Sequence, residues 1–293
     1  MTTTADDATP IATKGLVLRA AQARWYDALA AVLTLGRERA LRDRLAELAR
    51  LAPGEAVLDV GCGTGSLALA AKRRVGATGT VVGVDASPEM IALAARKAAR
   101  AGTEVTFRNA CAERLPFPDG TFDVVLATLM LHHLPATLRR ECAREALRVL
   151  KPGGRMLAVD FSRPSQKRGG LLAHLHRHGG VPLDAMVALL RDAGLRVEET
   201  GSVGVSDLRF VLAVTPKSGE DATRHDAVPA TRALPPLGGA RWILAAVVIA
   251  ALAAHVWMAG QLAGMLSLSV AGIAAGTIAL VVVAVHVVGL RRR

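Results

Sequence analysis

The stretch Ala56–Ser66, AVLDVGCGTGS, decides the fold. A short apolar run of strand character leads straight into Gly61, Gly63 and Gly65, and a helical pattern starts at Ser66. Glycine lets the backbone turn sharply and lets a ligand approach it closely. A helix N-terminus beside such a turn favours polar or anionic groups. Strand, glycine turn and helix form the opening unit of a doubly wound α/β sheet. Working outward, strands are expected at Ala56–Val60, Thr80–Asp85, Val105–Arg108, Phe122–Thr128 and Arg155–Phe161. Helices are expected near Ser66–Arg74, Pro88–Ala101 and Leu138–Leu150, with two more ahead of the loop at Leu18–Val32 and Arg37–Leu51. A helix near Leu183–Ala193 precedes two last strands, Arg196–Ser202 and Arg209–Thr215, whose short GVSD connection makes them an antiparallel pair. Continuous apolar runs such as TVVGVD and FDVVLAT suit parallel strands covered on both faces. The expected fold is a Rossmann-like, doubly wound α/β sheet over residues 16–217, mostly parallel with an antiparallel last strand.

The loop's chemistry narrows the ligand. Asp85 ends the second strand, 20 residues past Gly65, where a carboxylate accepts hydrogen bonds from both hydroxyls of a ribose. A dinucleotide site requires G-x-G-x-x-G with a pyrophosphate over the helix, but the sixth position counted from Gly61 is Ser66. Asp59 also sits two residues before Gly61, where its charge repels a pyrophosphate and attracts a cation. S-adenosylmethionine carries a sulfonium, an ammonium and no phosphate. The charge pattern therefore favours S-adenosylmethionine over NAD.

Four stretches carry a family resemblance: VLDVGCGTG at Val57–Gly65, VVGVDASPEMIALA at Val81–Ala94, AERLPFPDGTFDVV at Ala112–Val125 and LRVLKPGGRMLAVDFSRP at Leu147–Pro164. Together they resemble the class I S-adenosylmethionine-dependent methyltransferases, and the nearest subgroup is that of the ubiquinone/menaquinone biosynthesis C-methyltransferases. RWYDALAAVLTLGRERALR at Arg24–Arg42 and DFSRP at Asp160–Pro164 are similar to that subgroup's leading segment and strand-end tag. The resemblance covers about residues 20–217. It implies that Asp59, Gly61, Gly63 and Gly65 hold the methionine end of the cofactor and that Asp85 holds the ribose. It further implies that Met90 packs on the adenine, that Ala112 and Glu113 line the adenine loop, and that Tyr26 closes over the methionine moiety. Cys111 stands where many relatives have Asp or Asn against the adenine amine. A thiol is a poor acceptor, and Asn109 is the neighbouring substitute. Only residues 165–182 separate the DFSRP tag from the next helix, a shorter insertion than the quinone enzymes have.

Methyl transfer needs a positioned acceptor, and a phenol-like acceptor also needs a base. The strand Phe122–Thr128 points its C-terminal end at the cofactor, and LMLHHL follows it, so His132 and His133 are the candidate bases. The alternative is that they cap the following helix or face solvent. Asp160 and Ser162, at the end of the next strand, are placed to line the same pocket. His174, His176 and His178 alternate in HLHRH but lack neighbouring carboxylates or cysteines, so they read as a basic lid and no metal site is expected.

Composition completes the expectations. The 293 residues carry 36 Lys and Arg against 25 Asp and Glu, a formal net charge of +11, with 52% hydrophobic but only 3% aromatic residues. Such a basic chain suits an anionic partner. Without aromatic platforms or a known reading module that partner is a membrane face and not nucleic acid. The three cysteines, Cys62, Cys111 and Cys142, have no CxxC spacing and read as free thiols. The N-terminus, MTTTADDATP, has neither a basic nor an apolar leader region, which places the following domain in the cytoplasm. Residues 1–15 are expected to be disordered, and 218–241, rich in Pro and Gly, to be a linker.

From Trp242 to Leu290 there is no Asp, Glu, Lys or Arg. A membrane helix needs about 20 apolar residues, so this length fits a hairpin of two spans, near Trp242–Leu262 and Leu268–Leu290. Arg241 precedes it and Arg291, Arg292 and Arg293 follow it, which puts both ends in the cytoplasm. His255 and His286 differ in depth by roughly 16 Å at the helical rise per residue, too far to clamp one haem. The sequence thus describes a multi-pass membrane methyltransferase with its catalytic domain on the cytoplasmic side. Its acceptor is small or lipidic, a quinone-type ring carbon or a lipid amine. The rival is a membrane-anchored binding module that keeps the cofactor fold without catalysis.

Overall fold

The structure is a computed structural model, and it describes residues 38–162, 180–205, 207–216 and 229–234. In chain order the elements are α1 (Glu38–Leu48), β1 (Ala56–Val60), α2 (Ser66–Val75), β2 (Thr80–Asp85), α3 (Pro88–Arg100), β3 (Thr106–Asn109) and β4 (Phe122–Thr128). After β4 come a short 3-10 turn (Leu131–His133), α4 (Ala136–Val149), β5 (Leu150–Phe161), α5 (Leu183–Asp192), β6 (Arg196–Ser202), β7 (Leu208–Val214) and β8 (Ala230–Ala233). The strands form one eight-stranded sheet in the order β3-β2-β1-β4-β5-β7-β6-β8.

Strand periodicity sorts the core into two layers. Side chains alternate across a strand, so Leu58, Val125, Ala127, Met156, Ala158, Val211 and Ala213 face one layer, together with Ala143 and Ala146 of α4 and Met186 and Leu190 of α5. Val57, Val124, Leu126, Leu157, Val159, Phe210 and Leu212 face the other, together with Leu41 and Leu45 of α1 and Leu67 and Ala71 of α2. Helices therefore cover both faces, as the continuous apolar strands require. Each fully buried Leu, such as Leu126 or Leu157, contributes about 1.5–3 kcal/mol.

The expected parallel order holds from β3 to β5, and β7 runs antiparallel to both β5 and β6. One expectation needs correction. The stretch read as linker contains β8, which pairs in parallel with β6 through Glu199↔Ala230 to Ser202↔Ala233. Within residues 16–217 the last strand, β7, is antiparallel as expected, and β8 adds a parallel edge strand beyond it. The reading missed β8 because ATRA has no apolar run; its support is the edge of β6 and an ion pair of Arg232 with Glu199 at 3.7 Å.

The N-terminal ends of the parallel strands are tied by charge. Arg155 donates to both oxygens of Glu55 at 2.7 Å and to the carbonyls of Ala49 and Arg50, which follow α1. Lys151 and the Ala56 N–H share the Asp123 carboxylate. These contacts lie at the opposite end of the sheet from the glycine loop, which leaves the C-terminal ends open for chemistry. Among the described residues no helix is long and apolar enough to cross a membrane. The expected hairpin at 242–290, the N-terminal helix at 18–32 and the disordered stretch at 1–15 lie outside the described residues.

Candidate active site

The glycine loop leaves β1 with positive φ at Gly61 (68°), Gly63 (53°) and Gly65 (77°). At Gly61 the need is also steric, since an added Cβ would meet the Met130 Cβ at 2.7 Å. At Gly63 an added Cβ would meet nothing within 4 Å. One glycine thus admits the chain after β4, and the other has no described atom near its Cβ position. Gly65 starts α2 in the left-handed region.

Carboxylates and a lysine brace this loop. Asp85, at the end of β2, accepts the Gly63 N–H on Oδ2 and the Ser87 N–H on Oδ1, both at 2.9 Å. Ser87 caps α3 by accepting the Met90 N–H. Lys97, from the last turn of α3, donates to the hydroxyls of Thr64 and Ser66 at 2.9 Å. Sequence reading missed Lys97, since nothing in its spacing marks a contact across more than thirty residues. Burial holds the Asp85 carboxyl above the usual range, while the Ser87 and Gly63 amides pull it back.

Asp59 is 1% exposed, and neither of its carboxylate oxygens has a hydrogen-bond partner in the described structure. Burial pushes its carboxyl up to about 7; the charge of Arg42 opposes this and that of Asp85 adds to it. The Ala68 amide also lowers it, but lies outside hydrogen-bond geometry, and a buried carboxylate with no close partner among the described residues is a site for a cation. The residues therefore fit the ammonium-bearing, phosphate-free ligand that the motif implies. Asp59 and the loop would hold its methionine end, and Asp85 its ribose.

The adenine side is less complete. Met90 is buried at 3% exposure and belongs to neither of the two large apolar layers. The Ala110 N–H donates to the Asp85 carbonyl, and Cys111, Ala112 and Glu113 follow. Ala112 is buried, Glu113 half-buried and Cys111 buried, its thiol pushed up to about 11 by burial and by the nearby Glu113. Asn109, the proposed substitute for an acidic partner, uses its side-chain amide on the Asp85 carbonyl at 2.8 Å. Cys62, within the loop, is a buried thiol raised well above its ordinary value by burial. Tyr26, His174, His176 and His178 lie outside the described residues. Among the described residues no three metal-ligating side chains cluster.

Both candidate bases stand at the C-terminal end of β4. Leu129 takes a left-handed φ of 57° and donates its N–H to the Val159 carbonyl, which turns the chain sharply into Met130. A bulky residue there costs about 1–2 kcal/mol and marks a site where geometry is imposed. Arg139 fixes the next turn by donating from Nε to the carbonyls of Leu131 and Leu134. The structure separates the two histidines. His132 places Nδ1 2.7 Å from Asp160 Oδ1, and its backbone N–H donates to Oδ2 at 2.9 Å. His133 is exposed and packs its ring against that of His132, with centroids 3.9 Å apart. Ser162 turns its hydroxyl to the start of α5, where it accepts the Leu183 N–H. Met130 contacts Gly61, so the histidine turn and the cofactor loop are adjacent.

Known proteins resemble this chain. A family model described as a methyltransferase domain matches residues 57–154. The chain is 40% identical over 144 residues to a ubiquinone/menaquinone biosynthesis C-methyltransferase of Pseudomonas entomophila, a match covering 48% of this chain and 56% of that one. It is 38% identical over 151 residues to a demethylmenaquinone methyltransferase of Thermus thermophilus, covering 52% and 67%. The chain thus spans little more than half the length of the Pseudomonas relative. A crystal structure of a SAM-dependent methyltransferase from Aquifex aeolicus shares the fold, with a TM-score of 0.54 and 23% identity over 67% of this chain and 98% of that one. With the glycine loop, its acidic partners and these relatives together, the chain belongs to the S-adenosylmethionine-dependent methyltransferases, and S-adenosylmethionine is its cofactor.

Proposed function

We propose that this enzyme methylates the ring carbon of a quinol-type acceptor, with His132 as the base that removes a proton. The observation that carries the reading is the place of His132. It lies on the turn touching the cofactor loop, with one ring nitrogen engaged by a buried carboxylate. The relatives named for quinone C-methylation support the acceptor class. S-adenosylmethionine supplies an electrophilic methyl group. The chain supplies the rest: Asp59 and the glycine turn bind the cationic end, Asp85 orients the ribose, and His132 accepts the acceptor's proton. An acceptor dissolved in lipid explains why a methyltransferase domain would be followed by the uncharged segment 242–290. In this reading that segment is a two-span anchor, and the catalytic domain works at the cytoplasmic face of the cell membrane.

A binding module without catalysis is the rival, and Cys111 favours it. A buried thiol, a poor acceptor, stands where the adenine amine needs one. The test is to incubate the full chain with methyl-labelled cofactor and a native membrane lipid extract, then to identify labelled products by mass. Label in a quinol ring is expected. Label in a phospholipid amine would overturn the ring-carbon reading, and cofactor binding without label in any fraction would favour the binding module.

A further inference from the structure

Asp160 does more than line a pocket. The β4–β5 register, with Thr128 opposite Val159, brings the end of β5 beside the turn that follows β4. Two backbone N–H groups and one ring nitrogen converge on the Asp160 side chain, which is fully buried at 0% exposure. The His132 backbone amide meets Oδ2 at 2.9 Å, the Phe161 amide meets Oδ1 at 2.7 Å, and His132 Nδ1 lies 2.7 Å from Oδ1. Each oxygen already faces a backbone donor, which can only donate. With a backbone N–H on each oxygen the side chain serves as an acceptor-only carboxylate, and it accepts from the ring as well. Nδ1 then carries the ring hydrogen, and in the neutral imidazole Nε2 keeps its lone pair. Phe161 meets the His132 ring edge-on with centroids 5.9 Å apart, and His133 packs on it from another side. The ring plane is therefore held as well as its tautomer.

We propose that Asp160 is a positioning residue that fixes His132 with Nε2 unprotonated, and that the site is thereby committed to acceptors that must give up a proton, as a hydroxyarene ring does. The acceptor class rests on the reading under Proposed function; the hold of Asp160 on the ring does not. In the step this supports, the ring hydroxyl of the acceptor loses its proton to Nε2. The electron pair so released into the ring forms the bond from ring carbon to methyl, and the methyl–sulfur bonding pair stays on sulfur. The ring-carbon hydrogen then leaves as a proton to solvent, which restores the aromatic ring as its aryloxide. The imidazolium, paired with the Asp160 carboxylate, returns its proton to that oxygen, so one proton is released in all. The same carboxylate also anchors the His132 backbone, so one residue fixes both where the base sits and which nitrogen is basic.

Asp160→Asn separates these roles. With its NH2 in the place of Oδ1, the amide keeps an accepting oxygen for the His132 N–H, gives up the acceptor of the Phe161 N–H, and donates to Nδ1, which reverses the tautomer. Exchanging the aspartate behind a catalytic histidine for asparagine has that consequence in serine proteases. The experiment uses the full chain with 15N-histidine, and the His132 signals are assigned by their loss in His132→Ala. Wild type is expected to show a protonated Nδ1 and a bare Nε2, and Asp160→Asn the reverse. With a prenylated 1,4-dihydroxynaphthalene as probe acceptor, kcat of Asp160→Asn is expected to fall about 10²–10⁴-fold. KM and cofactor Kd are expected to stay within about twofold, as for a group that acts on base catalysis. A wild-type spectrum with the hydrogen on Nε2 would overturn the proposal, and this reading needs no folded variant. An unchanged kcat in a folded Asp160→Asn protein would overturn it too. If the wild-type tautomer is as expected but the naphthalene probe is not methylated, the acceptor assignment falls and the role of Asp160 stands.

Discussion

Cofactor affinity should follow the protonation of Asp59. In the free protein burial lifts this carboxyl to about 7, against about 3.9 for an exposed aspartate. The folded state holds the proton more tightly than the unfolded one. The group's stabilising contribution is therefore complete below pH ~4 and is lost as pH rises through ~7. Lifting the carboxyl that far corresponds to about 4 kcal/mol in favour of the protonated form. A cationic ligand reverses the preference, because it binds the ionised carboxylate and must displace the proton. If binding requires that form, the apparent Kd rises by the factor 1 + 10^(7 − pH), which is about 11 at pH 6 and close to 1 at pH 8. Calorimetric titration of the full chain with S-adenosylmethionine at pH 6, 7 and 8 measures this. Runs at pH 7 in two buffers of different ionisation enthalpy should show release of roughly half a proton. Asp59→Asn should bind more weakly and lose most of the slope. This control matters because Asp85 is also raised and contributes on the acid side. Equal affinity of the wild type at pH 6 and 8, or an undiminished slope in Asp59→Asn, would refute the assignment of Asp59 to the cationic end of the cofactor.

Three further outcomes are expected. Gly61→Ala places a methyl 2.7 Å from Met130 Cβ at a positive φ and should cost roughly 2–4 kcal/mol of stability by denaturant midpoint. Gly63→Ala, with open space at its Cβ, should cost only about 1–2 kcal/mol in stability yet weaken cofactor binding more than Gly61→Ala does when both are measured on folded protein. Asp85→Ala should weaken cofactor binding by about 1.5–3 kcal/mol, the scale of hydrogen bonds to a charged group, and an unchanged Kd would remove Asp85 from the site. A reporter fused after Arg293 should be active only on the cytoplasmic side of the cell membrane; activity on the other side would overturn the hairpin topology.

Most of the sheet was legible because its signals are local. An apolar strand into Gly61–Gly65, a carboxylate at the end of the next strand, and Ser87-Pro88 at a helix start each occupy a few neighbouring residues. The period-two alternation of Val57 and Leu58, or of Leu157 and Ala158, likewise assigns each side chain to a face before any contact is known. Boundaries were less legible. β5 begins at Leu150, ahead of Arg155, because Leu150 pairs with Phe122 across a register shift that Pro152 and two glycines conceal. β8 was illegible, since a four-residue edge strand takes its definition from the strand it joins.

The sequence alone determined the glycine loop, its acidic partners and the pair of histidines after β4, since each follows from residue type and short spacing. Tertiary structure set the two histidines apart. His132 meets Asp160, 28 residues away, through the β4–β5 register that brings the two together. Tertiary structure likewise left Asp59 buried with no hydrogen-bond partner among the described residues and brought Lys97 onto the loop hydroxyls. It also committed the Asn109 amide to the Asp85 backbone. The physical reason is common to all of these. Backbone propensity and hydrophobic period act over one turn or one strand, whereas desolvation and hydrogen-bond partnership depend on which distant segments the packed sheet sets side by side.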